Sequence, residues 1–298
     1  MRIDWTGKIE ENFYALGHPS VPVYFLDGPR PALFDAGFTG LAAVYIEEIK
    51  KVLGKRSPSF LFLTHAHWDH IGSAGIFKKV WPGMVIAASP ETAKILSRPR
   101  VVDTIISLNR DALDALHHWG VSNIHCDPFI PFGVERIISP RNPISLDFHT
   151  SVIGIPSQGH TRDFTVYWIP EKKVLIASEA VGCDDIPEFI VDYDNYVKGI
   201  KAFMNLDIHV LCTGHQLVVT GRDVKRYLKR ARETAENFRR CVEKQLRKGE
   251  TVDGIADYVK QKEWDRRPLP KQPLLAYVMN TKGRIRTLKK RWDGESTP

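Results

Sequence analysis

Apolar and polar positions along this chain follow two rhythms. Short runs of bulky apolar residues recur at Phe60–Leu63, Val152–Ile155, Val174–Ser178 and Val210–Gly214. Runs of this length, bounded by turn residues, read as buried strands. Upstream, Glu11–Leu26 reads as two strands broken at Gly17–Ser20, and Ala32–Gly37 as a third. Val85–Ala88 adds another, and strands resume near Val134–Ile138 and continue through Leu175. The second rhythm is helical. Thr39–Leu53 carries Leu41, Val44, Tyr45, Ile49 and Val52 at helical spacing, with Gly54 as a stop. Ser73–Trp81, Ser89–Ser97 and Val101–Trp119 read as further helices. Arg222–Lys248 is a long amphipathic helix, with Val224, Tyr227, Leu228, Ala231, Ala235, Phe238, Val242 and Leu246 on one face and Gly249 at its end. Thr251–Trp264 and Pro273–Trp292 come next as helices, separated by the linker Pro268-Leu269-Pro270. The pattern predicts an α/β body with a helical C-terminal extension.

The residues directly after the apolar runs carry the candidate chemistry. Phe60–Leu63 leads into Thr64-His65-Ala66-His67-Trp68-Asp69-His70-Ile71-Gly72. That cluster leaves the carboxyl end of a strand, where open α/β sheets place their ligand sites. Imidazole nitrogen and carboxylate oxygen are ligands for zinc and similar divalent ions. His65 and His67 can converge on one ion if the turn stays extended, and Asp69 and His70 then serve a second. Three later runs end the same way, at His160, Glu179 and His215. A strand running straight into a ligand-type residue, repeated four times, is hard to reach by accident. His18, His117, His118, His125, His149 and His209 are read as structural or surface histidines; the adjacent pair His117-His118 in a helix points in different directions.

The order His65-x-His67-x-Asp69-His70, then Gly159-His160, then Glu179, then Gly214-His215, resembles the metallo-β-lactamase fold superfamily. The resemblance spans about Phe13 to His215. It implies a four-layer αββα sandwich with metals in a groove along one sheet edge. It implies that His65, His67 and His160 hold a first metal, and that Asp69, His70 and His215 hold a second. Glu179 departs from the family's Gly-Asp, whose Asp bridges both ions; here the pair is Ser178-Glu179. Glutamate has one more methylene, so it could bridge, bind one ion, or push the two apart. Asp35 resembles the family's early aspartate, which sits behind the ligands and orients them; a turn-forming Asp is the alternative. The position of the loop after Glu179 implies a pocket role for Phe189 and Tyr193, though either could equally be a core aromatic. The helical tail is similar to that of the PqsE-type thioesterase branch and some lactonases, where it folds over the groove. The expected division is residues 1–220 for the sandwich and residues 221–298 for a basic helical extension packed on the same domain.

The resemblance implies a dinuclear metal-dependent hydrolase. A metal-bound hydroxide would attack a small-molecule ester, thioester or lactone, with Asp69 taking up a proton in transit. Two divalent ions are expected, zinc first, although the same ligands accept iron or manganese. The alternatives are a phosphodiesterase or nuclease, a mononuclear iron sulfur dioxygenase, and a binding protein that uses the fold without turnover.

Composition narrows these expectations. Of 298 residues, 43% are hydrophobic and 26% charged, which excludes a disordered chain. Met1–Lys8 has no apolar signal core, and no run approaches the length of a membrane span. Cys126, Cys183, Cys212 and Cys241 form no CxxC pair. These features predict reduced thiols and a cytoplasmic protein that is not membrane-bound. The net charge of +7 is uneven: from Gly221 onward 22 Lys and Arg face 11 Asp and Glu, so the body is mildly acidic. The basic residues are interleaved with acids and have no grouped aromatics, which argues for solvated helix faces and against a nucleic-acid partner. A homodimer is expected only if the tail helices leave an apolar face over.

Overall fold

The central strands are apolar on both faces, and this sets the layers. The computed structural model describes residues 1–118, 124, 128–140, 142–215, 218–268 and 271–295. Its strands are β1 (Arg2–Ile3), β2 (Gly7–Glu10), β3 (Phe13–His18), β4 (Val21–Leu26), β5 (Ala32–Phe34), β6 (Phe60–Phe62) and β7 (Val85–Ala88). Then come β8 (Arg136–Ile137), β9 (Ile144–Ser145), β10 (Ser151–Pro156), β11 (Thr165–Ile169), β12 (Val174–Ser178), β13 (Val210–Thr213) and β14 (Val218–Thr220). The helices are α1 (Ala42–Leu53), α2 (Trp68–Ile71), α3 (Ala74–Val80), α4 (Pro90–Leu96), α5 (Pro99–His118), α6 (Tyr193–Phe203), α7 (Asp223–Leu246), α8 (Val252–Glu263) and α9 (Leu274–Glu295). Among the described residues the strands form two seven-stranded sheets, ordered β2-β3-β4-β5-β6-β7-β8 and β1-β14-β13-β12-β11-β10-β9.

Side chains alternate across each strand, and three cores result. Phe34, Phe60 and Phe62 face Tyr167, Val174, Ile176 and Cys212 between the sheets. The alternate residues Leu33, Leu61 and Ile86 face outward onto Tyr45, Ile49 and Phe77. On the other side, Leu175, Ala177 and Leu211 face Val197, Leu228 and Phe238. Helix, sheet, sheet and helix therefore stack as an αββα sandwich. In the parallel pairs β5·β6, β6·β7 and β12·β13 both faces are covered, which is why those strands read as unbroken apolar runs.

The C-terminal helices share this structure. All but Leu246 of the predicted apolar face of α7 is buried, and Ile255, Val259, Ile285 and Leu288 of α8 and α9 join the same core. Tail cations pair with tail acids, as in Arg239–Glu243, Lys260–Asp265 and Lys282–Asp253.

Two boundaries move. The strand expected to reach Gly37 stops at Phe34, because Asp35 takes φ +59° and turns the chain. The helix expected from Val101 starts at Pro99, a residue whose fixed φ suits a first turn. Leu269 and Pro270 of the linker, His125, Cys126, and the side chains of His117 and His118 lie outside the described residues. His149 is exposed, and His209, also exposed, pairs with Glu10. Among the described residues, no helix is long and apolar enough to cross a membrane.

Candidate metal centre

Two tyrosines between the sheets anchor the strand ends that carry the ligands. Tyr167 donates from Oη to the Leu63 carbonyl at 2.7 Å, just past β6. Tyr24 donates to the Thr213 carbonyl at 2.6 Å, at the end of β13. Beyond β6 the chain bends at Thr64 and is extended at His67, which precedes α2 with φ −70° and ψ 143°. Asp163 holds this loop: its Oδ2 accepts from the Ala66 amide and from Thr92 Oγ1, both at 2.9 Å. Glu179 is delivered differently. The β12·β13 register shifts between Ile176 and Ser178, and Ser178 takes φ +47°. This bulge re-aims the next side chain into the site. Room for the longer acid comes from Gly214, where a Cβ would stand 3.0 Å from Glu179 Cγ.

Two groups of donors converge, and Glu179 belongs to both. His65, His67, His160 and Glu179 form one; Asp69, His70, Glu179 and His215 form the other, with ligand atoms within 4.8 Å of one another in each. Glu179 Oε2 lies 3.2 Å from His65 Nε2, 3.3 Å from His70 Nε2 and 3.5 Å from His160 Nε2. His215 Nε2 lies 3.3 Å from Glu179 Oε1 and 3.6 Å from Asp69 Oδ2. His160 Nε2 faces His67 Nδ1 at 3.1 Å. Two ligands each about 2.0 Å from a tetrahedral ion stand about 3.3 Å apart. The donors are therefore spaced to share cations.

Hydrogen bonds behind the rings fix their orientation. His70 Nδ1 donates to Asp35 Oδ2 at 2.9 Å. His65 Nδ1 donates to Thr64 Oγ1 at 2.9 Å, and that hydroxyl donates onward to Asp35. His160 Nδ1 donates to the Glu188 carbonyl, and His215 Nδ1 to the Ser20 carbonyl at 2.7 Å. In each ring Nδ1 is taken up by that bond and Nε2 faces the centre, open to a cation or, without one, to a proton. His65 Nε2, His70 Nε2 and Glu179 Oε2 are buried without a hydrogen bond of their own. Orphaned buried donors and acceptors are costly, and a divalent cation is the partner this donor set fits.

The charges agree with that reading. Burial drives His65 well below the usual imidazole pKa, and takes His160 down to about 4. Burial also opposes protonation of His70, but Glu179, Asp35 and Asp69 outweigh it and hold its pKa well above the usual value. His215 is raised to about 8: burial opposes, and the hydrogen-bonded Glu179 prevails. The Glu179 carboxyl is held well below its usual range, the surrounding imidazoles outweighing its burial. Without a cation, protons on the second group of ligands do part of its work.

A cavity of about 190 Å³ opens over these ligands. His67, Asp69, Glu179 and His215 line it together with Phe38, Trp68 and Leu108 of the body and Trp264, Arg267, Lys271, Tyr277 and Met279 of the tail. Phe189 and Tyr193 do not line it, which corrects the expectation for them. Both pack in the helical core, Phe189 edge-on to Tyr193 and Phe238 at 5.1 and 5.7 Å between ring centroids. Sequence reasoning missed Asp163, which acts on a backbone amide 97 residues away. It also missed Arg284, buried on α9. Arg284 donates to the Pro187 carbonyl at 3.1 Å, to Glu263 at 3.0 Å and to Thr281 at 2.7 Å, and thereby ties the tail to the loop bearing Glu188. A charge on the apolar face of α9 was the available signal.

The Metallo-beta-lactamase superfamily profile matches residues 17–215. Among solved structures, a metallo-beta-lactamase family protein from Thermus thermophilus is similar at a TM-score of 0.67, with 15% identity over 96% of this chain and 95% of that one. A stereoselective inverting sec-alkylsulfatase from Pseudomonas sp. aligns at 0.66 and 16% identity, over 97% of this chain and 50% of that one. A subclass B3 metallo-beta-lactamase of Bradyrhizobium japonicum aligns at 0.50 and 16% identity, over 97% of this chain and 92% of that one. At these identities the structural likeness speaks to the fold alone. The profile match covers the strands and loops that carry all seven donor residues, and on that ground the chain belongs to the metallo-beta-lactamase superfamily.

Proposed function

We propose that this protein is a metal-dependent hydrolase of small-molecule esters, thioesters or lactones, working with two divalent ions, zinc first. The observation that carries the reading is the pair of donor groups that share Glu179, with buried, unpartnered atoms aimed at one place. Bound there, divalent ions would activate water as a nucleophile and polarise the carbonyl oxygen under attack. His65, His67 and His160 would hold one ion; Asp69, His70 and His215 would hold the other, with Glu179 between them. Asp69, only partly buried and lining the cavity, would take up the proton of the attacking water on the carboxylate oxygen that does not hold the ion. That proton then passes to the departing alkoxide or thiolate as the carbonyl carbon's bond to it breaks. Phe38 and Trp68, stacked with ring centroids 4.9 Å apart, keep one wall of the cavity dry. The cavity suits a small molecule better than a polymer strand, which favours an ester over a nucleic-acid substrate. The second donor group is as complete as the first, which favours two ions over the single iron of a sulfur dioxygenase.

The test is elemental analysis of the protein as isolated, paired with a panel of thioesters, lactones and phosphodiesters. Two equivalents of zinc and chelator-sensitive hydrolysis of one carboxylic ester class are expected. One equivalent of iron with oxygen uptake would overturn the proposal.

A further inference from the structure

The cavity has a second wall whose chemistry differs from that of the ligand wall. It comes from the end of α8, the connection to α9 and the first turns of α9: Trp264, Arg267, Lys271, Ala276, Tyr277 and Met279. Arg267 and Lys271 are both half-buried. Lys271 Nζ sits 3.6 Å from the centroid of the Trp264 ring and donates to the Trp264 carbonyl at 3.3 Å. Among the described residues, no carboxylate pairs with either cation, whereas the neighbouring Lys260 and Arg284 pair with Asp265 and Glu263. Large apolar side chains stand beside them. Met279 lines the cavity at 57% exposure, and Leu275, one helical turn earlier, is 62% exposed. Phe38, Trp68, Leu108 and Ile186 continue the apolar surface inward.

A neutral metabolite would gain little from two cations that lack a carboxylate partner. An anionic group would gain charge-assisted hydrogen bonds from the planar fork of Arg267 and the ammonium of Lys271. The amino end of α9, at Leu274, adds partial positive charge on the same side. We propose that the substrate is amphiphilic, with an apolar chain lying along Trp68, Leu108 and Met279 and an anionic end, distal to the scissile ester, held by Arg267 and Lys271. This rests on the hydrolase reading above and deepens it. The catalytic body would supply the reaction, and the tail would choose the substrate by charge.

The experiment has two arms. The first compares monomethyl suberate with dimethyl suberate, which share chain length and scissile bond and differ by one distal carboxylate. The metal-loaded wild type is expected to favour the monoester about tenfold or more in kcat/KM, the size of one charged hydrogen bond. In the double variant Arg267→Gln/Lys271→Gln the ratio of the two values is expected to collapse toward one. The second arm needs no turnover: octane-1-sulfonate and octan-1-ol are titrated calorimetrically into both proteins. The sulfonate is expected to bind the wild type about tenfold or more tightly than the double variant, and the alcohol to bind both alike. Hydrolysis of both esters at one rate, with sulfonate binding unmoved by the double variant, would overturn the anionic end and leave the hydrolase standing. No ester turnover, with charge-selective binding intact, would do the reverse.

Discussion

The ligand wall and the helical roof of the same cavity are built on opposite terms. The wall gathers residues from His65 to His215, each set just past a strand end. Four strand ends carry seven donors, and hydrogen bonds from His70, His160 and His215 to the Asp35 carboxylate and the Glu188 and Ser20 carbonyls orient those rings. The roof is assembled from helices that reach the site only because α7 first covers the second sheet. Its one deeply buried charge, Arg284, is held by Glu263 and by the Pro187 carbonyl, not by a strand. The two surfaces divide the labour. On the proposed reading, chemistry belongs to the wall that strand ends position, and selectivity to helices whose placement depends on packing.

The widest separation between wall and roof should come from Glu179→Ala. Because Glu179 belongs to both donor groups, its loss is expected to empty both metal positions. His67→Ala, which touches only the first group, should leave the second metal bound. Metal content by mass spectrometry separates the outcomes, and the loss of activity in Glu179→Ala should exceed the roughly 10–100-fold typical of a supporting residue. If Glu179→Ala keeps one full equivalent, the shared role of this acid is wrong.

Next in size is the roof. Arg284→Met removes the buried member of an ion pair and leaves Glu263, itself partly exposed, with the Tyr277 hydroxyl at 3.0 Å as its remaining partner. Stranding a fully buried charge costs about 3–5 kcal/mol; the partial exposure of Glu263 and its bond from Tyr277 set this loss lower, at about 1–3 kcal/mol. Urea unfolding should show that loss, and the double variant Arg284→Met/Glu263→Leu should recover part of it, since no unpaired charge remains although the Tyr277 hydroxyl loses its acceptor. A double variant no more stable than the single one would mean that Arg284 works through the Pro187 carbonyl instead. Asp35→Asn acts back on the wall. It should weaken metal affinity about 10–100-fold, because the His70 ring and the Thr64 hydroxyl lose the acceptor that aligns them.

The same division decides what could be read from the chain. The wall was legible because strand ends, glycines and ligand-type residues coincide in sequence. Asp35 resembled a supporting acid and does accept from His70 and Thr64. The roof was legible only as helices. The apolar stripe of α7 announced that it would be buried, but nothing in Arg267, Lys271 or Tyr277 announces which surface the next helices cover. Phe189 and Tyr193 failed for a related reason. An aromatic shortly after a ligand suits either a pocket or a core, and only the arrival of Phe238 from α7 makes it core. Glu188 was invisible because its carbonyl, not its side chain, orients His160.

The smallest effect is the dependence of metal-free stability on pH, and its sign separates the wall from an ordinary buried cluster. His215 has a folded pKa of about 8 and His70 is also raised, against an unfolded value near 6.5. A raised pKa means that the folded state binds protons more tightly, so this stabilisation is fully present below about pH 6.5 and is lost as pH rises through about 8. Its size is about 1–2 kcal/mol for His215. Glu188, raised to about 7 chiefly by burial, works in the same direction over the lower interval from its unfolded value. His65 and His160, lowered by burial, work the other way, but most of their contribution changes below about pH 6.5, so the metal-free protein should still melt at lower temperature at pH 8 than at pH 6.5. Loading with zinc should reverse the slope, because the cation binds only the deprotonated rings and its affinity rises as those protons leave. Thermal melts at both pH values, with and without zinc, read the two slopes directly. Parallel slopes would mean that the protons and the metal do not compete for the same nitrogens, and the second donor group would lose its assignment.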